Sequence, residues 1–258
     1  MDPLKSRMFL YSYHPDEKTF HIVVMLKNRP GALSSVLGLL SDRVNLMSST
    51  TYDVDPDNAV WSAFAKALAA DEERASLEGL LGKSAFVLEA TVTDSDEGLL
   101  VDGFHSGFED NRGLARTIMT RSGLSSTFDR LVSVFGTGGS TVLYEEGRGL
   151  GISNAQGVIR LMGPSLARAK TRRMYKVWGP MGWGNAQFSE GPDGVYALKV
   201  EDCFECSSRG KVRTQCDWMR GHITGYLSTI FGSQLECKET ACRFRGDTLC
   251  EFALSKGA

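Results

Sequence analysis

All six cysteines of this 258-residue chain fall late, at Cys203, Cys206, Cys216, Cys237, Cys242 and Cys250. A secreted scaffold spreads cysteines through the chain to staple its loops, whereas a late cluster in an otherwise ordinary globular chain points to metal or redox chemistry in one region. The rest of the composition, 42% hydrophobic and 23% charged, argues against disordered and collagen-like classes. The length suits one large domain or two of ordinary size. A formal net charge of -2 lacks the electrostatic footprint of a dedicated nucleic-acid binder. No apolar run approaches the roughly 20 residues that a membrane span needs. Lys5 and Arg7 are followed too soon by Tyr11, Ser12, Tyr13 and His14 for a signal-peptide core, so a cytoplasmic location is expected.

From Thr19 to Thr93 the chain reads strand, helix, strand, strand, helix, strand. Phe20 to Leu26 is apolar and β-branched and is stopped by Asn28-Arg29-Pro30-Gly31. Leu33, Val36, Leu37 and Leu40 then repeat at helical spacing. Asn45 to Val54 and Val60 to Leu68 read as two strands joined across Asp55-Pro56-Asp57-Asn58. A helix is expected over 71–81, opened by Asp71-Glu72-Glu73 at the positive end of its dipole, and a last strand over 86–92. Two βαβ halves of this length predict a ferredoxin-like βαββαβ sandwich.

The run Leu26 to Leu33 with its Pro-Gly turn, followed by a helix and Asn45-Leu46, resembles the start of an ACT domain. The resemblance implies a regulatory module that binds an amino acid or other small effector near Asn28, Arg29, Pro30 and Gly31, often across a dimer interface. Proline fixes such a turn, glycine removes a side chain, and the open helix N-terminus receives a carboxylate. The glycine usual before the helix-to-strand Asn is missing, with Ser41-Asp42-Arg43-Val44 in its place. A turn that binds nothing is the alternative reading.

The boundaries expected are an extension over 1–18, an ACT domain over 19–95, an acidic, glycine-rich linker over 96–113 and a second domain over 114–258. That second domain should open with a helix over 114–134. The stretch Gly136-Thr137-Gly138-Gly139, a strand over 140–144 and Gly147-Arg148-Gly149-Leu150-Gly151 follow; the glycines match neither a dinucleotide fingerprint nor a P-loop and read as turns. Arg168, Lys170, Arg172, Arg173 and Lys176 read as a solvated helix face, with a phosphate contact as the alternative. A hairpin is expected over 187–198 around Gly191-Pro192-Asp193-Gly194. A helix is expected over 214–231, and a closing hairpin is formed by strands over 234–238 and 248–254.

Cys216 on that helix, Gly221, Gly225-Tyr226-Leu227, and then Glu239 to Phe252 with Cys242 and Cys250 resemble the carboxyl-terminal core of the 4-vinyl reductase domain family. The resemblance implies an α+β ligand-binding domain with a Zn2+ ion that pins the hairpin to the helix. Its ligands, carried over residue by residue, would be Cys216, Glu239, Cys242 and Cys250. Zinc chemistry agrees: it takes four thiolate, imidazole or carboxylate ligands, and a closed set is structural. Small buried thiols without metal are the alternative. Cys203 and Cys206 are extra to the family pattern and read as a redox pair, further metal ligands or core residues.

The family also implies a small hydrophobic or aromatic ligand such as a phenol. Trp178, Trp183, Phe188, Tyr196 and Trp218 are candidates to line its pocket, with His222 as anchor; core packing explains the same residues. The expected protein is a non-catalytic sensor, an α+β homodimer with no membrane and no direct nucleic-acid contact, acting through oligomerisation or a partner protein. The rivals are an enzyme or accessory of tetrapyrrole vinyl reduction and a thiol redox switch.

Overall fold

Apolar residues on both faces of one strand decide the centre of the first half. The computed structural model describes residues 10–110, 115–191, 195–208 and 212–256, and the chain divides into two units, 1–117 and 118–258. In the first, β1 (Tyr11–Tyr13) is followed by β2 (Thr19–Lys27), α1 (Ala32–Leu40), β3 (Val44–Asp53), β4 (Asn58–Ala67), α2 (Arg74–Leu81) and β5 (Val87–Asp94). Strands β3, β4, β2 and β5 form an antiparallel sheet in that order. Phe20, Ile22, Val24 and Leu26 of β2 pack with Trp61, Ala63 and Ala65 of β4 against Val36, Leu40, Leu77 and Leu81 of the two helices.

Helix α2 begins three residues later than its acidic opening suggests. Glu73 is extended, and the buried Glu72 pairs with Arg43 at 3.3 Å, so these acids anchor a turn. The acidic stretch after β5 is not a free linker among the described residues. β6 (Leu99–Val101) pairs with β1 and buries Leu100, and β7 (Phe108–Glu109) pairs with β8 (Ala115–Arg116). The extension and the start of the supposed linker thus form one small antiparallel ribbon. The helix expected over 114–134 starts late: Leu114 lies outside the described residues, Ala115–Arg116 is a strand, and the helix begins only at Arg121, where the Thr120 side chain caps it.

The second unit holds α3 (Arg121–Phe135), α4 (Thr137–Met162), α5 (Pro164–Met174), β9 (Asn185–Glu190), β10 (Tyr196–Glu201), α6 (Asp217–Phe231), β11 (Leu235–Ala241) and β12 (Cys250–Lys256). Its antiparallel sheet runs β11, β12, β10, β9. The tip of the β9–β10 hairpin, Pro192-Asp193-Gly194, lies outside the described residues. The glycine-rich stretch expected to be a turn, a strand and another turn is instead the 26-residue helix α4. Glycine costs a helix about 1 kcal/mol per residue, and here the helix–helix contact offsets it. A Cβ on Gly147 would lie 2.0 Å from the Trp218 carbonyl oxygen, and one on Gly151 2.2 Å from that of His222. From the other side, a Cβ on Gly221 would lie 1.9 Å from the Tyr144 oxygen and one on Gly225 2.2 Å from the Arg148 oxygen. Helices α4 and α6 meet backbone to backbone.

Gly221→Ala is accordingly expected to cost the second unit about 3 kcal/mol or more. Gly149→Ala, on α4 but with open space around the added Cβ, is expected to be neutral or to stabilise by up to about 1 kcal/mol. Urea unfolding of both variants measures the contrast.

Candidate functional site

Helix α6 carries the site, because most of its length is buried and its first turn faces the end of the sheet. Cys216 occupies the N-cap position, with φ -95° and ψ 79°, rather than the helical interior expected for it. Its backbone N–H donates to Glu239 Oε2 at 3.0 Å, which turns the thiol toward the hairpin. Cys242 directly follows β11 and Cys250 opens β12. The loop between them is closed by Asp247, which accepts from the Cys242 N–H at 2.7 Å, and by Gly246 at φ 95°. Ligand atoms of Cys216, Glu239, Cys242 and Cys250 all lie within 4.8 Å of one another.

The structure adds two thiols to these. After β10 the chain makes a short 3-10 turn, Phe204–Ser207, that returns Cys203 and Cys206 to the start of α6. Cys206 Sγ lies 3.2 Å from Cys216, 3.5 Å from Cys250 and 3.9 Å from Cys242. Cys216 Sγ lies 3.8 Å from both Cys242 and Cys250 and 4.0 Å from Cys203. Two thiolates bound about 2.3 Å from a tetrahedral ion stand about 3.8 Å apart, so the separations suit a single ion. Cys203, Cys206, Cys216 and Cys250 form a second grouping within 4.8 Å. Cys203 and Cys206 are therefore part of the thiol cluster and not a separate pair. Cys237 lies apart on β11, where burial pushes its thiol up to about 12.

The donor chemistry fits a divalent ion. Glu239 is buried with its Oε1 free of any hydrogen-bond partner, while its Oε2 pairs with Arg245 at 3.7 Å. An unpaired buried carboxylate oxygen costs free energy that a cation beside it would offset. Hydrogen bonds from Cys203, Cys206 and Cys216 pull the Cys250 thiol far below its ordinary range. Burial above all pushes Cys216 up.

The turn is held by a buried ion pair invisible to motif reading. Glu205 caps α6, accepting from the N–H groups of Trp218 (3.3 Å) and Met219 (2.8 Å), and takes Arg213 Nη1 at 2.9 Å. Arg213 also donates to Asp129 at 2.7 Å and to the Ser125 hydroxyl at 2.9 Å. Burial pushes the Glu205 carboxyl up, while Arg213 and the Met219 and Trp218 N–H groups pull it down. The only signal in the sequence was a Glu set between two cysteines.

Two turns along α6 from Cys216, His222 sits 1% exposed. Trp183 stands edge-on at 4.9 Å, with Trp178 at 5.5 Å and Trp218 stacked at 5.6 Å. Its Nε2 meets the Asn154 amide at 3.2 Å and its Nδ1 has no partner. Of the six residues proposed for a pocket, four therefore gather at one place. Phe188 and Tyr196 instead stack on each other, with Tyr175 beside Phe188 and Phe231 beside Tyr196. An open groove of about 350 Å³ brings Phe188 to Arg168 and Arg172 of the basic helix. In the other unit, Asn28 to Gly31 form an exposed turn into α1, Gly31 at φ 90° and the Asn28 amide donating to Asp53 at 3.2 Å.

Residues 196–256 match the 4-vinyl reductase domain family, and all four ligand positions taken from the sequence resemblance, with His222 and Trp218, lie inside that match. The chain is similar to the phenol-responsive sensory domain of the transcription activator PoxR solved with phenol, at 18% identity over 58% of this chain and 83% of that one, TM-score 0.44. It is similar to a vinyl-4-reductase family protein from Methanocaldococcus jannaschii, at 17% identity over 55% and 85%, TM-score 0.37. A trafficking protein particle complex subunit 3 from Naegleria fowleri, covalently bound to palmitic acid, gives 16% identity over 54% and 95%, TM-score 0.42. No curated protein matches the chain. No helix among the described residues is long and apolar enough to cross a membrane.

Burial pushes the His222 imidazole down to about 3. Its ordinary value is about 6.5, so the unfolded chain takes up a proton that the fold refuses. The resulting stability is fully present above pH 6.5 and is lost as pH falls toward 3, by up to about 1.4 kcal/mol per pH unit. His222→Phe is expected to remove that slope in urea unfolding followed by tryptophan fluorescence between pH 7 and 4.

Proposed function

We propose that this chain is a non-catalytic small-molecule sensor whose carboxyl-terminal domain couples a structural zinc ion to an aromatic ligand site. The observation that carries this reading is the shared helix: α6 presents Cys216 to the thiol cluster and His222 to the tryptophan cage, within the segment that matches the 4-vinyl reductase domain family. A hydrophobic ring with one polar group suits a cage of three indoles around a histidine with a spare nitrogen. Zinc would be held by Cys216, Glu239, Cys242 and Cys250, fixing the hairpin to the helix. Four filled positions leave no open coordination for chemistry. A ligand that favours one arrangement of α6 would shift the population in proportion to its differential affinity for the two states.

The amino-terminal unit we assign to the ACT class. The βαββαβ order and the β3-β4-β2-β5 sheet support it, and the exposed Gly31 turn at the start of α1 suits an amino acid carboxylate. In this reading the protein is a homodimer of the cytoplasm, a compartment in which its six free thiols stay reduced. A second reading is favoured by one distance. Cys206 at 3.2 Å from Cys216 would let a peroxide join the two as a disulfide and release the ion, two thiols giving up two electrons to the O–O bond. Disulfide mapping after hydrogen peroxide, with zinc release followed in parallel, tests it.

Protein purified without chelator is expected to contain zinc at this site by elemental analysis. Cys250→Ser, which removes a donor common to both thiol groupings, is expected to lose that zinc along with folding of the unit, while Cys206→Ser keeps it. X-ray absorption is expected to give three sulfurs at about 2.3 Å and one oxygen at about 2.0–2.2 Å. Four sulfurs would transfer the place of Glu239 to Cys206, and wild-type protein free of metal would sink the zinc reading. Phenol is expected to quench tryptophan fluorescence, with about tenfold weaker binding in His222→Phe for one lost hydrogen bond.

A further inference from the structure

A polar cluster lies in the amino-terminal unit, on the sheet face opposite α1 and α2. His21 is on the central strand β2 between Phe20 and Ile22, whose side chains point to the helix side, and it is 1% exposed. The segment after β6 lies over it and supplies Asp102 and His105. Ligand atoms of His21, Asp102 and His105 all lie within 4.8 Å of one another. The two imidazoles are held in the same way. His21 Nε2 meets the Ser62 hydroxyl at 2.9 Å, and His105 Nε2 meets the Tyr52 hydroxyl at 2.9 Å. Both Nδ1 atoms then face one carboxylate, His105 at 2.7 Å from Oδ2 and His21 at 3.8 Å from Oδ1. Asp102 is itself fixed, its Oδ1 accepting from the Phe104 and His105 N–H groups at 3.1 Å each.

We propose that His21 Nδ1, His105 Nδ1 and an Asp102 carboxylate oxygen form a second metal site, for a divalent first-row transition ion, that fastens the β6 segment to the sheet. Two ligands each about 2.0–2.1 Å from a tetrahedral ion stand about 3.3 Å apart, and the observed 2.7 and 3.8 Å bracket that value. Two imidazoles and a carboxylate are a donor set that zinc, iron, cobalt and nickel all accept. The hydroxyls on the far nitrogens are the outer contacts that orient metal-bound imidazoles and fix their tautomer. Without an ion, His105 donates its Nδ1–H to Asp102. With one, both rings carry their proton on Nε2 and donate it to Ser62 and Tyr52. Three protein ligands leave at least one position for water or a small anion. The thiol cluster plays no part in this site, so the two stand or fall separately.

Cobalt(II) added to the full chain after saturation with one equivalent of zinc tests the proposal. The expected result is a further equivalent of bound cobalt whose visible d–d bands lack the sulfur-to-cobalt charge transfer that thiolates produce. Long-range nitrogen–proton NMR with zinc, which is diamagnetic, should show both rings as the Nε2–H tautomer. His105→Ala, a partly exposed residue outside the sheet, is expected to weaken binding at least tenfold and Tyr52→Phe about tenfold, with the circular dichroism spectrum unchanged. Asp102→Asn provides a second variant should His105→Ala unfold. Absence of a thiolate-free cobalt spectrum, or equal binding by wild type and both ligand variants, would overturn the site.

Discussion

The approach of α4 to α6 is the constraint on which the second unit depends. Side chains normally keep helix axes 8–10 Å apart, but Gly147 and Gly151 on one helix and Gly221 and Gly225 on the other leave no Cβ to hold the backbones away. An added methyl at any of the four would lie within 2.2 Å of a carbonyl oxygen of the partner helix. This fixes α6 along its length and in its rotation. A rotation of a few tens of degrees would carry Cys216 off the hairpin and His222 out of the indole cage. The glycines therefore set the geometry of both sites, although none of them supplies a side chain to either one.

The same constraint explains what could be read in the sequence and what could not. The strands and helices of the first unit were legible because period-2 and period-3.6 patterns report a buried face directly, and β2, α1 and β4 run within two residues of the reading. Helix α4 was not, because the signal for it lies on another element. Gly139, Gly147 and Gly151 look like turn residues until Leu131 and α6 are seen against them. The acidic 96–110 stretch misled for a related reason. Leu99–Val101 is too short to show a period, and its partner Tyr11–Tyr13 is far away in sequence.

The site divides similarly. Cys216, Glu239, Cys242 and Cys250 were carried over from the family resemblance, and their ligand atoms lie within 4.8 Å of one another. Cys203 and Cys206 could not be placed, since their position follows from the Glu205–Arg213 pair that caps α6 and folds the turn back. The His21, Asp102 and His105 cluster had no sequence signature at all, its members belonging to a central strand and to a segment that read as linker. Of the predicted pocket, the three tryptophans and His222 come together, while Phe188 and Tyr196 follow the sheet to a different stack.

Glu205 shows how closely the thiol cluster and the fold are tied. It lies in the turn between Cys203 and Cys206, and its carboxylate takes the free N–H groups at the start of α6, the turn that Cys216 caps. Arg213 then anchors that carboxylate to α3 through Asp129 and Ser125. Breaking a buried pair costs about 3–5 kcal/mol, far more than an exposed pair contributes. Any displacement of the thiols must therefore either carry Glu205 and the α6 terminus along or leave a charge buried alone. Cys216 at the N-cap and His222 in the second turn are thus carried by one helix, which Glu205 fixes at its start and the glycine contact with α4 fixes along its length. Under the proposed sensor reading, any coupling between the thiols and His222 would run along that helix.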